Sequence, residues 1–272
     1  MLLEAEKFRD FEHSGWEKIP DTYHEAFGQL TTQAIEPLLD AARVERGMTF
    51  LDIASGPGYV AAAAAMRGAT VLGVDFAAAM VAHAKQLHAG VEFREGDAEQ
   101  LPLGNGLFEA AAMNFGILHL GRPDAAIGEA FRVLRSGGHF AFSVWAPPQE
   151  TIGFGIVLRV VELHGEPRVE LPQGPPFFRF SDAEECIGSL IAAGFESPKV
   201  TKVKQCWRLP AGDGLFQAMR DSTVRTAGLL RAQKPTVLNK IRDAMRAELE
   251  VYTKGDRIEL PMPALIASAV KA

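Results

Sequence analysis

The sequence predicts an α/β fold: a doubly wound, mostly parallel sheet with helices on both faces. Three observations predict it. Thr49-Phe50-Leu51-Asp52-Ile53 is a short, largely apolar run, as a strand buried on both faces requires. It leads into Ala54-Ser55-Gly56-Pro57-Gly58, a glycine turn, and then into a helix rich in alanine at 61–65. Val71-Leu72-Gly73-Val74 reads as a second buried strand that ends on Asp75. Strands alternating with helices at this spacing imply parallel pairing.

The elements follow in order. Residues 1–20 are mixed in character, with Phe8, Phe11 and Trp16. Phe27, Leu30, Ile35, Leu38 and Leu39 recur at helical spacing and predict a helix over 22–44, kinked at Pro37. Gly47 ends the approach to a strand at 49–53. A helix at 58–67, a strand at 70–74, a helix at 77–88 and strands at 91–95 and 108–114 follow. Pro123 suits the first turn of a helix at 122–134. Ser136-Gly137-Gly138 turns the chain into a strand at 139–145. Pro147, Pro148, Pro172, Pro175 and Pro176 mark loops around a short helix at 152–164. A helix at 181–193 has Ser181 as its cap and Glu184 at the reciprocal position, and stops at Gly194. A strand at 197–208, two helices within 211–253 divided near Pro235, and a strand at 257–271 complete the reading. Pro261 and Pro263 confine the early part of that last strand to an edge or a bulge.

Bulk properties narrow the function. A chain of 272 residues with 47% apolar content suits one large domain, or one domain with a cap. A net charge of −6 offers no basic footprint for nucleic acid. No run reaches the roughly 18 apolar residues of a membrane span, and MLLEAEKFRD lacks the apolar centre of a signal peptide. Cys186 and Cys206 lack zinc spacing and read as reduced thiols, the expectation for a cytoplasmic protein. No H-E-x-x-H metal motif, G-x-S-x-G elbow or lysine-bearing P-loop occurs.

The glycine turn carries the chemistry. Backbone N–H groups at a helix start favour a polar or anionic ligand group, and a strand-end carboxylate such as Asp75 accepts hydrogen bonds from both ribose hydroxyls. A dinucleotide site wants G-x-G-x-x-G, whereas Gly56, Gly58 and Ala61 meet only the form ending in Ala. Asp52 just before the turn repels a pyrophosphate, but a cationic sulfonium tolerates it.

D-I-A-S-G-P-G, with an acid 17 positions after its last glycine, resembles the class I S-adenosylmethionine-dependent methyltransferases. The likeness is closest to the small-molecule branch that includes the ubiquinone and menaquinone C-methyltransferases, and is strongest over 48–146. Ala54 stands where the family pattern D-x-G-x-G-x-G has its first glycine. The resemblance implies a Rossmann-like methyltransferase fold of seven strands, the seventh antiparallel and paired with the sixth. It implies an N-terminal helical cap segment at 1–46, a core at 47–208 and 257–272, and a helical insert at 209–256 as candidate substrate cap. S-adenosylmethionine is the implied cofactor, and a small-molecule acceptor, apolar or aromatic, takes the methyl group by in-line displacement.

Residue by residue, the resemblance sets Asp52, Ala54, Ser55, Gly56 and Gly58 at the turn. Asp75 stands at the ribose, Phe76 and Met80 as walls, and Gly96, Asp97 and Ala98 at the adenine. Asn114, Phe115 and Gly116 lie near the methionine portion; Tyr23 and His24 are candidates to contact cofactor or substrate if the N-terminal helix covers the pocket, and plain helix surface is their other reading. His119 is the candidate general base, because imidazole titrates near neutrality; a structural histidine is its other reading. Phe154, Phe177, Phe178, Phe180, Trp207, Phe216 and Met219 are candidates for an apolar lining, and Arg179 and Arg220 for holding an anionic group. Two other functions share the pattern: an NAD(P)-dependent oxidoreductase, and a non-catalytic member of the fold that binds cofactor.

Overall fold

The computed structural model describes residues 2–272. Helices α1 (Leu2–Trp16), α2 (Pro20–Thr31) and α3 (Ile35–Ala41) come first. Then follow β1 (Thr49–Ile53), α4 (Tyr59–Met66), β2 (Thr70–Asp75), α5 (Ala78–Leu87), β3 (Glu92–Glu95), β4 (Phe108–Asn114), α6 (Pro123–Val133) and β5 (Leu134–Trp145). The second half holds α7 (Ile152–His164), α8 (Ala183–Ala192), β6 (Glu196–Val203), β7 (Cys206–Pro210), α9 (Gly214–Asp221), α10 (Arg225–Arg231), α11 (Pro235–Leu249), β8 (Thr253–Lys254), β9 (Arg257–Pro261) and β10 (Ala264–Val270).

Seven strands form one sheet in the order β3-β2-β1-β4-β5-β10-β6. The first five are mutually parallel, and β10 runs antiparallel to both neighbours. Alternate side chains feed opposite layers, as the two-residue period of a strand demands. Phe50, Ala110, Ala112 and Ala141 pack with Leu38 and Leu39 of α3 and Ala63 and Ala64 of α4. Leu51, Ile53, Met113, Phe140 and Phe142 pack on the other face with Ile127 and Ala130 of α6 and Leu190 of α8. The alanines of β4 let the first layer lie close. β1, β2 and β4 all present their carboxyl ends to one edge, where ligands bind in such sheets.

The structure departs from the expected elements in five places. The predicted 22–44 helix is α2 and α3, joined by a 3₁₀ turn at Thr32–Ala34, and Pro37 lies in the first turn of α3, where its missing N–H costs nothing. Residues 2–16 form a further helix whose stripe of charged side chains hid its apolar face. The cap of α8 is Asp182, which accepts the Glu184 N–H at 3.0 Å; the Ser181 hydroxyl instead donates to the Phe178 carbonyl. The expected strands 197–208 and 257–271 are each broken in two. β6 pairs with β10 in the main sheet, while β7 and β9 pair in a second, three-stranded sheet of order β7-β9-β8. The ribbon crosses between sheets where the Met262 N–H donates to the Gln205 carbonyl, beside Pro261 and Pro263. Between β7 and β8 lie three helices rather than two.

Among the described residues no helix is long and apolar enough to cross a membrane, and no group of His, Cys, Asp or Glu is placed to hold a metal. Cys186 and Cys206 are free thiols.

Candidate active site

The turn after β1 is built from left-handed backbone. Ala54, Gly56 and Gly58 have φ of 53°, 49° and 80°, which bends the chain tightly; the N–H groups of Ser55, Gly56 and Gly58 donate within the fold, to the Val74 carbonyl, to Asp75 and to the Ser55 carbonyl. Gly58 does not face the cavity this bend creates. A Cβ there would lie 2.5 Å from Phe93, so glycine is required for packing. Every other residue singled out for cofactor binding lines one cavity above the carboxyl edge of the sheet, and so does His119. The cavity encloses an empty volume of ≈ 1170 Å³, its open mouth included.

Two acids lie at its floor. Asp52 is buried, and its Oδ2 accepts the Ala61 N–H in the first turn of α4 at 2.9 Å. Burial pushes its carboxyl up to about 8, against that hydrogen bond and helped by the nearby Asp75. Asp75 accepts N–H groups from Gly56 at 2.7 Å and Ala77 at 3.0 Å. Burial raises it to about 6. Asp52 Oδ1 and the Ser55 hydroxyl are buried without a hydrogen-bond partner among the described residues. Two orphaned polar atoms on one cavity wall are the mark of a site that receives a polar ligand.

At β3 the chain turns through Gly96, where a Cβ would meet Val74 and Pro102 at 2.8 and 2.9 Å. Asp97 accepts the Glu99 N–H at 2.8 Å and Arg9 of α1 at 3.2 Å. At β4, Asn114 donates to the Thr31 carbonyl at 3.2 Å and accepts the Ser143 hydroxyl at 2.6 Å, tying α2, β4 and β5 together. Phe115 has φ 56° and stacks on Trp145 with centroids 4.0 Å apart. Gly116 lets Ala54 approach; a Cβ there would lie 2.6 Å from that of Ala54.

A chain of ring contacts rims the opposite side. It runs Phe27–Tyr23–Trp16–His119–Phe177–Phe154–Trp145, with centroid separations of 4.8 to 6.1 Å. Burial pushes the Tyr23 hydroxyl up to about 12. Of the expected apolar lining, Phe154 and Phe177 face the cavity, while Phe178, Phe180, Trp207, Phe216 and Met219 do not. His24 contacts Tyr59 instead of the cavity. Arg179 pairs with Asp124 and Glu185, and Arg220 with Asp221; the arginine on the cavity is Arg225. Sequence reasoning missed Arg225, Trp16 and Glu12. Trp16 and Glu12 act from α1, and a helical period read through residues 8, 12 and 16 was the signal for them.

Helix α1 straps the mouth. Arg9 reaches Asp97, and Glu17 accepts the N–H groups of Ala78 and Ala79 at 2.6 and 3.1 Å, capping α5. Glu12 reaches His119 Nδ1 at 3.0 Å.

The family model described as a methyltransferase domain matches residues 51–142. A demethylmenaquinone methyltransferase of Beutenbergia cavernae is 36% identical over 121 residues, covering 43% of this chain and 50% of that protein. The ubiquinone/menaquinone biosynthesis C-methyltransferase UbiE of Rubrivivax gelatinosus is 33% identical over 165 residues, covering 57% and 66%. The chain thus spans about half to two thirds of the length of these curated relatives. Among solved structures, phosphoethanolamine N-methyltransferase 2 of Haemonchus contortus, in complex with S-adenosyl-L-methionine, has a TM-score of 0.57 at 19% identity, covering 97% of this chain and 60% of that one. The [4+2]-cyclase SpnF has a TM-score of 0.53 at 21% identity, covering 89% and 82%. The fold is therefore that of the class I methyltransferases, and the likeness to the quinone C-methyltransferases covers about half of the chain.

Proposed function

We propose that this chain, which carries a class I methyltransferase domain over residues 51–142, transfers a methyl group from S-adenosylmethionine to a small aromatic or apolar acceptor. The observation that carries the reading is the pairing, on one wall, of a left-handed turn with two acids and two orphaned polar atoms. When bound, the cofactor supplies a methyl group on a positively charged sulfur. Asp75 then holds the ribose hydroxyls with its remaining lone pairs, and Asp97 the adenine amino group in place of its exposed tie to Arg9. Asp52 offers its unpartnered Oδ1 below the turn. The unpartnered Ser55 hydroxyl holds the amino-acid end. Phe76 and Met80 wall the base.

The acceptor side is the aromatic rim. Its rings favour a flat, apolar molecule and exclude water, so the protein's main contribution is alignment. His119 takes a proton from an acceptor hydroxyl or amine. Thr223, Val224, Arg225 and Thr226 on the cavity wall support a covering role for the insert at 209–256, and Trp16 and Tyr23 support one for 1–46. An enclosed aromatic rim and a net charge of −6 favour a small molecule over nucleic acid. The two free thiols suit the cytoplasm.

Calorimetric titration with S-adenosylhomocysteine, with NAD and NADP in parallel, tests the reading. Saturable binding of S-adenosylhomocysteine alone is expected. Binding of a nicotinamide cofactor in its place would make the chain an oxidoreductase on the same fold.

A further inference from the structure

Glu12 is fully buried on α1, with Phe8 and Trp16 one turn to either side. Buried carboxylates are rare and costly unless something holds them. Its Oε2 accepts the Trp16 indole N–H at 3.0 Å and lies 3.0 Å from His119 Nδ1, while Oε1 has no partner among the described residues. No lysine or arginine among them lies within 4.0 Å of it. From α10, Arg225 feels the charge of Glu12; it sits against the rings of Phe8 and Phe177 and donates to the carbonyls of Pro175 and Leu118, while α1 itself carries Lys7 and Arg9. Asp75 faces His119 from β2. The imidazole itself is fixed edge-on against Trp16 and Phe177. Its other nitrogen, Nε2, has no protein partner and is not sealed from the cavity.

We propose that Glu12 is a positioning residue for His119. It accepts the Nδ1–H, so the neutral ring keeps its lone pair on Nε2, open to the cavity and fitted to take a proton from an acceptor hydroxyl. Which nitrogen carries the proton is set by the bond the other makes. In the step, the acceptor O–H bond breaks, the proton moves to Nε2, and the electron pair stays on oxygen as the nucleophile. The Glu12 carboxylate balances the imidazolium that forms, the role a buried carboxylate has beside a catalytic histidine. The proposal rests on the methyl-transfer reading for the identity of the acceptor step, but the tautomer it assigns is a property of the chain alone.

Nitrogen NMR of the full-length protein labelled at histidine tests it. At a pH where the ring is neutral, His119 is expected to carry its proton on Nδ1. Glu12→Leu is expected to move that proton to Nε2, changing the tautomer ratio by about tenfold or more. Glu12→Gln keeps the shape, drops the charge and serves if the leucine variant does not fold. It is expected to shift the Nδ1 proton resonance upfield as a charge-assisted bond becomes a neutral one. A wild-type ring protonated on Nε2 overturns the proposal, and so does a ring indifferent to both substitutions, which would leave Glu12 as a partner for Trp16 only. Titration with S-adenosylhomocysteine runs alongside. Its failure to bind wild-type protein would sink the methyl-transfer reading and leave the tautomer result to decide the role of Glu12.

Discussion

At the scale of single residues, Asp75 does two jobs with one carboxylate. It holds the turn through Gly56 and the start of α5 through Ala77, and it faces the cavity as the proposed ribose acceptor. Asp75→Asn keeps one acceptor oxygen and loses the charge. It should weaken S-adenosylhomocysteine binding by about 1.5–3 kcal/mol, read by calorimetry, with a melting curve to show that the turn survives. Unchanged affinity would remove Asp75 from the site. This residue was legible in the sequence because a strand-end acid has a fixed place: the apolar run 71–74 ends, and the next side chain meets the ligand edge. Glu12 was not legible. A lone glutamate in a charged segment looks solvated, and only the fold brings it against His119, 107 positions away.

At the scale of elements, the turn after β1 and the loop after β4 fit each other through Ala54 and Gly116. Ala54 bears its side chain at φ 53°, where an L-residue is strained by roughly 1–2 kcal/mol. Ala54→Gly should therefore stabilise the protein by about 1 kcal/mol in denaturant unfolding. Gly116→Ala should destabilise by about 1–3 kcal/mol through overpacking, because its new Cβ meets Ala54 and Met113. The loss should shrink when both changes are combined, since the glycine at 54 vacates the contested space; simple additivity would show that the two loops do not couple. The same scale explains which elements could be read in advance. β1, β2 and β4 are short apolar runs, the first leading into the glycine turn and the others ending on Asp75 and Asn114, and their burial on both faces leaves one pattern. The 197–208 and 257–271 stretches also read as strands, but the fault line at Gln205 and Met262 was hidden. A strand that leaves one sheet for another keeps its pairing partner, so its alternation continues across the break.

At the scale of the whole molecule, two acids sit where burial opposes their charge. Asp75 titrates near 6 and Asp52 near 8 in the fold, above the ordinary value of 3.8. Between 3.8 and those values the folded chain binds more protons than the unfolded one. Their contribution to stability is therefore full at low pH and is lost as pH rises through about 6 and then about 8. Melting curves from pH 5 to 9 should show a decline that Asp52→Asn flattens at the upper end. A profile unaltered by that substitution would place the titrating group elsewhere.

Helix α1 has one more consequence, and it concerns time. Arg9, Glu12 and, just past its end, Glu17 fasten it to three separate segments around the mouth of the cavity: the turn after β3, the 3₁₀ turn ending at His119 and the start of α5. Ligand exchange past this helix would require these ties to release together, and the frequency of that release would then set a ceiling on turnover, however fast the bond-making step. Its amides should exchange with deuterated solvent more slowly as the cavity fills, and a solvent made viscous should slow the steady state more than the first turnover.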